Sequence, residues 1–211
     1  MKKPRKRKPP LVAAERRIIA YHEVGHAIVQ TVVEPLLPIR SIRIRIDSAD
    51  QLGSTKVHTG NRRLLTRADM LNKICIFYGG RVAEELLLWD FSDAAQADLV
   101  KISEMVRYMV LYLGVSYQFP PQYIDPRTPI SEMMRQIIDE SINEILEEQC
   151  NRARDIILAN AQLVQQMADA LEQCRCLQGN KLKKFIVQVA NVHDDAAVLE
   201  YNRKTDPDPH E

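Results

Sequence analysis

The chain has 211 residues, of which 45% are hydrophobic and 27% charged; that suits one well-packed soluble domain and excludes low-complexity or fibrous classes. Four cysteines (Cys75, Cys150, Cys174, Cys176) are too thinly spread for a disulfide framework, and no apolar run approaches the roughly 20 residues that span a bilayer. The net charge of +1 hides six basic side chains within residues 1–8, which leave −5 on the remainder; without interleaved aromatics or a basic pattern downstream, a nucleic-acid function has little support.

The basic segment leads into no apolar signal-peptide core, so a soluble protein of a reducing, cytoplasmic compartment is expected. Residues 1–11 read as a disordered tail, 12–200 as one domain and 201–211 as a second tail. A helix is predicted from Val12 to Val33, with Ile19, His22, His26, Val29 and Val33 on one face and Pro35 and Pro38 beyond its end. Ser41–Ile46 alternates in the manner of a half-buried strand, and Ser54–His58 follows Gly53 as a second; together they predict a small antiparallel sheet.

Thr66 with Asp69 reads as a capping box opening a helix through Phe77. Gly79-Gly80 either break that helix or admit a close neighbour, and helical patterning then continues to Asp90, with Trp89 expected in the core. The linker FSDAAQ precedes a helix from Ala97 to Leu113, closed by Gly114. Four prolines between residues 115 and 130 predict an extended loop. Ser131 caps a long helix with Ile138, Ile142, Ile145, Ala153 and Ile156 on one face, continued by a second through Leu163, Met167 and Leu171. A last short helix is expected over Lys181–Val189. The fold class is mainly α, with a small sheet and a C-terminal helical bundle.

Chemistry concentrates in His22-Glu23-Val24-Gly25-His26. Residues four apart on a helix project from the same side, one turn apart, so both imidazoles reach one zinc ion at about 2.0–2.1 Å. Glu23 is badly placed to join them as a ligand but well placed to take the proton of a water at the metal's open position. Two histidines satisfied in a core without metal would leave polar ring nitrogens to be paired on one seam, which is costly. Gly25 also costs about 1 kcal/mol against Ala within a helix, which signals a close approach there.

A catalytic zinc normally takes a third protein ligand. Asp98 falls in line with Ile102, Met105 and Met109, and a carboxylate on an apolar stripe calls for a partner or a metal. An acid in the first turn of a helix is also favoured by the helix dipole alone, so Glu84, Glu85 and Asp93 stay in contention on spacing. His58 and His193 lie on no evident seam, and Cys174 and Cys176 read as ordinary thiols.

The segments AYHEVGHAIV (Ala20–Val29), YGGRVAEEL (Tyr78–Leu86), the Ala-rich run ending at Asp98 and IIDESINEILEEQCNRARDIILAN (Ile137–Asn160) resemble the peptidase domain of the FtsH-type AAA proteases, over a span reaching about Leu182. The resemblance implies that His22 and His26 are zinc ligands, Glu23 the catalytic glutamate and Asp98 the third ligand. It implies that Leu52–Val57 is an exposed edge strand where Gly53, Ser54 and Thr55 bind a polypeptide by backbone pairing. It also implies hexameric rings, hence a homo-oligomer or an AAA ATPase as partner. No GxxxxGK[ST] phosphate loop occurs in the chain, and the stretch from Gly114 to Pro129 is short for the family. The expected protein is therefore a zinc endopeptidase acting on unfolded or flexible polypeptides without its own ATPase or transmembrane segment. The alternative is a peptidase-like adaptor or inhibitor docked on an AAA ATPase.

Overall fold

A computed structural model describes residues 11–45, 52–57 and 64–190; the basic segment, His58, His193 and the end of the chain lie outside these. Among the described residues six helices and a small sheet follow in the order α1 (Ala13–Val33), β1 (Ile39–Ile44), β2 (Gly53–Val57), α2 (Arg67–Leu88), α3 (Gln96–Leu113), α4 (Glu132–Ala159), α5 (Ala161–Cys174), β3 (Cys176–Gln178) and α6 (Gly179–Ile186). No helix among the described residues is long and apolar enough to cross a membrane.

Helix α1 is the centre of the molecule. Its opening turn is held by the Glu15 carboxylate, which accepts from the Val12 backbone N–H at 2.8 Å. The sequence pattern assigns it one apolar face, yet every residue from Ile19 to Gln30 is buried. A helix covered all round is a core helix rather than a surface one; here α2, the sheet and α5 all pack on it.

Helix α2 runs unbroken through Gly79-Gly80, so of the two readings of that pair the close neighbour holds. A Cβ on Gly25 would stand 2.3 Å from the Gly79 carbonyl oxygen, and one on Gly79 would stand 2.8 Å from that of Gly25. Two backbones touch there because neither carries a side chain. The N-terminus of α2 is the capping box expected: Thr66 Oγ1 accepts from the Asp69 N–H at 3.1 Å, and the Asp69 carboxylate accepts from the Thr66 N–H at 2.8 Å.

The sheet is antiparallel, in the order β2-β1-β3. Its third strand, pairing Ile42 with Leu177, is missed by sequence reading because three residues are too few to show a period. Strand β1 starts two residues earlier than expected and β2 one residue earlier.

Two hydrophobic cores result. The first joins α1 and the sheet to α5, through Ile28, Ile42, Leu177, Met167 and Leu171; the second joins the first half of α2 to α3 and α4, through Ile74, Ile102, Met109 and Ile142. Each such side chain stabilises the fold by about 1.5–3 kcal/mol when fully buried. Trp89 corrects the sequence reading. It stands at the C-cap of α2 in the left-handed conformation, φ 58°, which turns the indole out of the leucine run, and it is 90% exposed.

Candidate metal centre

His22 and His26 sit one turn apart on α1, directly beneath the Gly79-Gly80 step of α2. A Cβ on Gly80 would lie 2.6 Å from His22 Cε1 and 2.7 Å from His26 Nε2, so the second glycine leaves room for the rings. Each ring is oriented through its Nδ1. That of His26 lies 2.7 Å from the Ile76 carbonyl oxygen, which only accepts, so Nδ1 carries the hydrogen. His22 Nδ1 lies 2.7 Å from Oε1 of Glu84, which is 1% exposed. The other carboxylate oxygen of Glu84 accepts from the Ser92 backbone N–H at 2.7 Å.

With both Nδ1 atoms so engaged, the two Nε2 atoms face a common point. They stand 3.0 Å apart, and Asp98 Oδ2 lies 3.3 Å from one and 3.2 Å from the other. Three ligands at about 2.0–2.1 Å from a tetrahedral zinc would be spaced about 3.3 Å from one another. Two imidazole nitrogens and a carboxylate, oriented from behind by a carboxylate and a carbonyl, form a donor set that fits this ion. Asp98 arrives on the first turn of α3, after a single 3-10 turn, Asp93–Ala95, that Ser92 caps. The rest of its stripe is arranged as the pattern predicts, with Ile102 and Met109 in the second core.

Electrostatics bind the cluster together even without metal. Burial works against the imidazolium of His22, but hydrogen bonds to Asp98 and Glu84, with the charges of Glu84 and Glu23, outweigh it and raise the pKa to about 9. Burial would likewise raise Asp98, yet hydrogen bonds from His22 and His26 and the nearby positive charges hold its carboxyl far below the usual range. Burial pushes the Glu23 carboxyl upward, against the pull of His26, His22 and the Thr55 hydroxyl. That is the direction in which a carboxylate becomes a better base near neutrality.

Glu23 points toward β2. The Thr55 hydroxyl lies 2.8 Å from Glu23 Oε2 and 2.9 Å from the Glu23 carbonyl oxygen. A Cβ on Gly53 would stand 2.3 Å from Glu23 Oε1. Gly53 and Thr55 therefore flank Glu23, while Ser54 points to the opposite face of the strand, its buried hydroxyl without a partner among the described residues. Of the other acids weighed from the sequence, Glu85 pairs with Arg154 at 3.1 Å, and Asp93 opens the 3-10 turn without joining the cluster. Glu84, a competitor for the metal on spacing alone, instead steadies His22. The signal that could separate the two roles is its place on α2, behind the histidines, which spacing does not reveal.

The fold and this cluster define a helical peptidase domain with a metal-capable His-His-Asp centre, and the chain belongs to peptidase family M41, whose model matches residues 11–185. It is 32% identical over 190 residues to the ATP-dependent zinc metalloprotease FtsH of Syntrophobacter fumaroxidans, covering 83% of this chain and 29% of that protein. It is 30% identical over 206 residues to the ATP-dependent zinc metalloprotease FtsH 1 of Methylacidiphilum infernorum, covering 92% and 32%. To FtsH of Thermotoga maritima it is 30% identical over 195 residues, covering 85% and 32%. The chain thus spans about a third of the length of these curated relatives.

Proposed function

We propose that this domain is a zinc-dependent endopeptidase that hydrolyses peptide bonds of unfolded or flexible polypeptides, with His22, His26 and Asp98 as metal ligands and Glu23 as general base. The observation that carries the reading is the convergence of two Nε2 atoms and Asp98 Oδ2, spaced 3.0–3.3 Å, beside a carboxylate that is not part of the set. A zinc ion held there supplies Lewis-acid polarisation of the carbonyl and of the attacking water. Glu23 takes the proton from that water and returns it to the departing amine. Thr55 fixes one oxygen of Glu23, and the bare Gly53 leaves space beside the other.

Strand β2 supplies the binding surface. Arg45 N–H donates to the Leu52 carbonyl at 2.6 Å, which sets the ladder phase so that Leu52, Ser54 and Lys56 face β1. The backbone N–H and C=O groups of Gly53, Thr55 and Val57 then lie on the edge away from β1, available for an extended polypeptide to add as a further strand. An extended segment is what such an edge accepts, hence the preference for flexible substrates. No phosphate-loop signature occurs in these 211 residues, so an already unfolded chain is the substrate that tests them on their own.

The test is zinc content of the purified protein together with casein cleavage, for wild type and Glu23→Gln. About one zinc per chain in both, with cleavage lost only in the variant, supports the peptidase. Zinc in both with cleavage in neither points to a subunit that works docked on a partner. No zinc in either removes the metal centre.

A further inference from the structure

Resting on the reading that a substrate strand adds to β2, we propose that Lys56, backed by Arg43, makes the site selective for acidic side chains at the substrate position facing it. Thr55 reaches Glu23 and the bare Gly53 abuts it, so Gly53, Thr55 and Val57 face the metal side of the sheet. Ser54 and Lys56, alternating with them, present their side chains to the opposite side.

That opposite face is cationic. Arg43 pairs with Ser54 and Ser41 with Lys56 across the ladder, which puts Arg43 and Lys56 on one surface, both exposed. The strand residues of β3 on that surface are Cys176 and Gln178, and Arg43 donates to the Gln178 side-chain oxygen at 3.2 Å. None of the described strand residues on this face carries a carboxylate. Lys56 is exposed and has no ion pair among the described residues, and the Glu23 carboxylate is on the other side of the strand.

A polypeptide paired along the outer edge of β2 alternates in the same phase. Its residue opposite Thr55 turns toward Glu23 and the metal ligands; the adjacent residue, opposite Lys56, turns to the cationic face. Directly opposed side chains on one face lie about 4.5–5.5 Å apart at Cβ, where unlike charges attract and like charges repel. Arg43, on the next strand of the same face, adds to the field without direct contact. The selectivity therefore belongs to every second position of the substrate, out of phase with the residues that face the metal. It is solvent-exposed and modest: roughly two- to fivefold between Glu and Gln at that position, and at least as much again between Gln and Lys.

The probes are decapeptides of Leu, Ala and Gly in which a single Glu, Gln or Lys is moved through the positions around the cleaved bond. Relative kcat/KM is measured for wild type, Lys56→Met and Lys56→Glu, in low salt and in about 0.5 M NaCl, where exposed charges are screened. The expected result is a Glu > Gln > Lys order confined to alternate positions in wild type, flattened in Lys56→Met, reversed in Lys56→Glu and reduced by salt. Equal rates for the three peptides in wild type, or an order that survives Lys56→Glu, overturns the proposal. A second readout does not depend on turnover: fluorescence anisotropy of the labelled peptides on Glu23→Gln protein should give the same order of dissociation constants. If wild type cleaves nothing, the peptidase reading fails by itself, and the anisotropy order alone upholds or overturns the role of Lys56.

Discussion

The two walls of the candidate metal centre are built differently. One is the α1–α2 crossing, where Gly25 and Gly79 bring two backbones into contact and both imidazoles are held from behind by α2 through the Ile76 carbonyl and Glu84. The other is the first turn of α3, where Asp98 hangs from a helix of the second core, partly open to solvent and paired with the exposed Lys101 at 2.9 Å. The first wall is fixed by packing and the second mainly by charge. Glu84 ties them from behind, since it bonds His22 with one oxygen and the Ser92 N–H, at the head of the turn that delivers Asp98, with the other. A site assembled this way presents two imidazoles oriented by packing and a carboxylate held beside them by opposite charge.

The largest effect should come from breaking the packed wall. Gly25→Leu places a Cβ 2.3 Å from the Gly79 carbonyl oxygen and 2.7 Å from Ala83 Cβ, and neither a backbone carbonyl nor a Cβ fixed to its helix can swing aside. The gain in helix propensity, about 1 kcal/mol, does not offset overpacking of about 3 kcal/mol or more. Urea titration should show a much lower midpoint, with zinc lost in proportion to the folded fraction. A next effect, on affinity rather than fold, is expected for Glu84→Ala. His22 loses its orienting partner and the Ser92 N–H its acceptor, so zinc affinity measured against a competing chelator should fall roughly 10- to 100-fold. An unchanged affinity would show that packing alone orients His22.

The same contrast explains what could be read in advance. The helix carrying His22, Glu23 and His26 was legible because a period of 3.6 and two imidazoles one turn apart are local facts. The capping box at Thr66 and Asp69 was legible for the same reason. Asp98 could be ranked but not chosen by its stripe, because what selects it over Glu84 is the path of the backbone through a 3-10 turn, a tertiary fact. The burial of α1 on all sides was hidden, since polar residues such as Glu23 and Gln30 read as solvent-facing and only the surrounding elements cover them. Trp89 went the other way: its hydrophobic neighbours suggested the core, and one residue of left-handed backbone at the helix end put it in solvent.

Protons sharpen the comparison further. In the metal-free protein the His22 pKa is raised to about 9, from an ordinary value of 6.5. Its contribution to stability is thus fully present below about pH 6.5 and is lost as the pH rises through about 9. Zinc needs the same nitrogen without its proton, so affinity should strengthen about tenfold per pH unit up to about pH 9 and level off above it. Melting curves with and without zinc should therefore diverge with rising pH, the metal-free protein growing less stable as the increment from metal grows. Curves that stay parallel between pH 6 and 9 would mean that His22 carries no extra proton.

The smallest effect tests the charged wall at its outer end. Lys101 meets Asp98 Oδ1, the oxygen turned away from the imidazoles, and its ammonium also stands 4.9 Å from the centre of the Phe77 ring. It is about half exposed, so solvent screens the pair and its loss in Lys101→Ala should cost below about 1 kcal/mol of stability. Two opposed consequences follow for the metal. Without the ammonium, Asp98 is a richer donor, but its carboxylate loses one of the contacts that hold its rotamer. Because the histidines already face Oδ2 at 3.2 and 3.3 Å, the orientation survives and zinc affinity should shift by less than about fivefold. A larger fall would mean that the α3 wall is held from its surface, and that the third ligand depends on a solvent-exposed side chain for its place in the site.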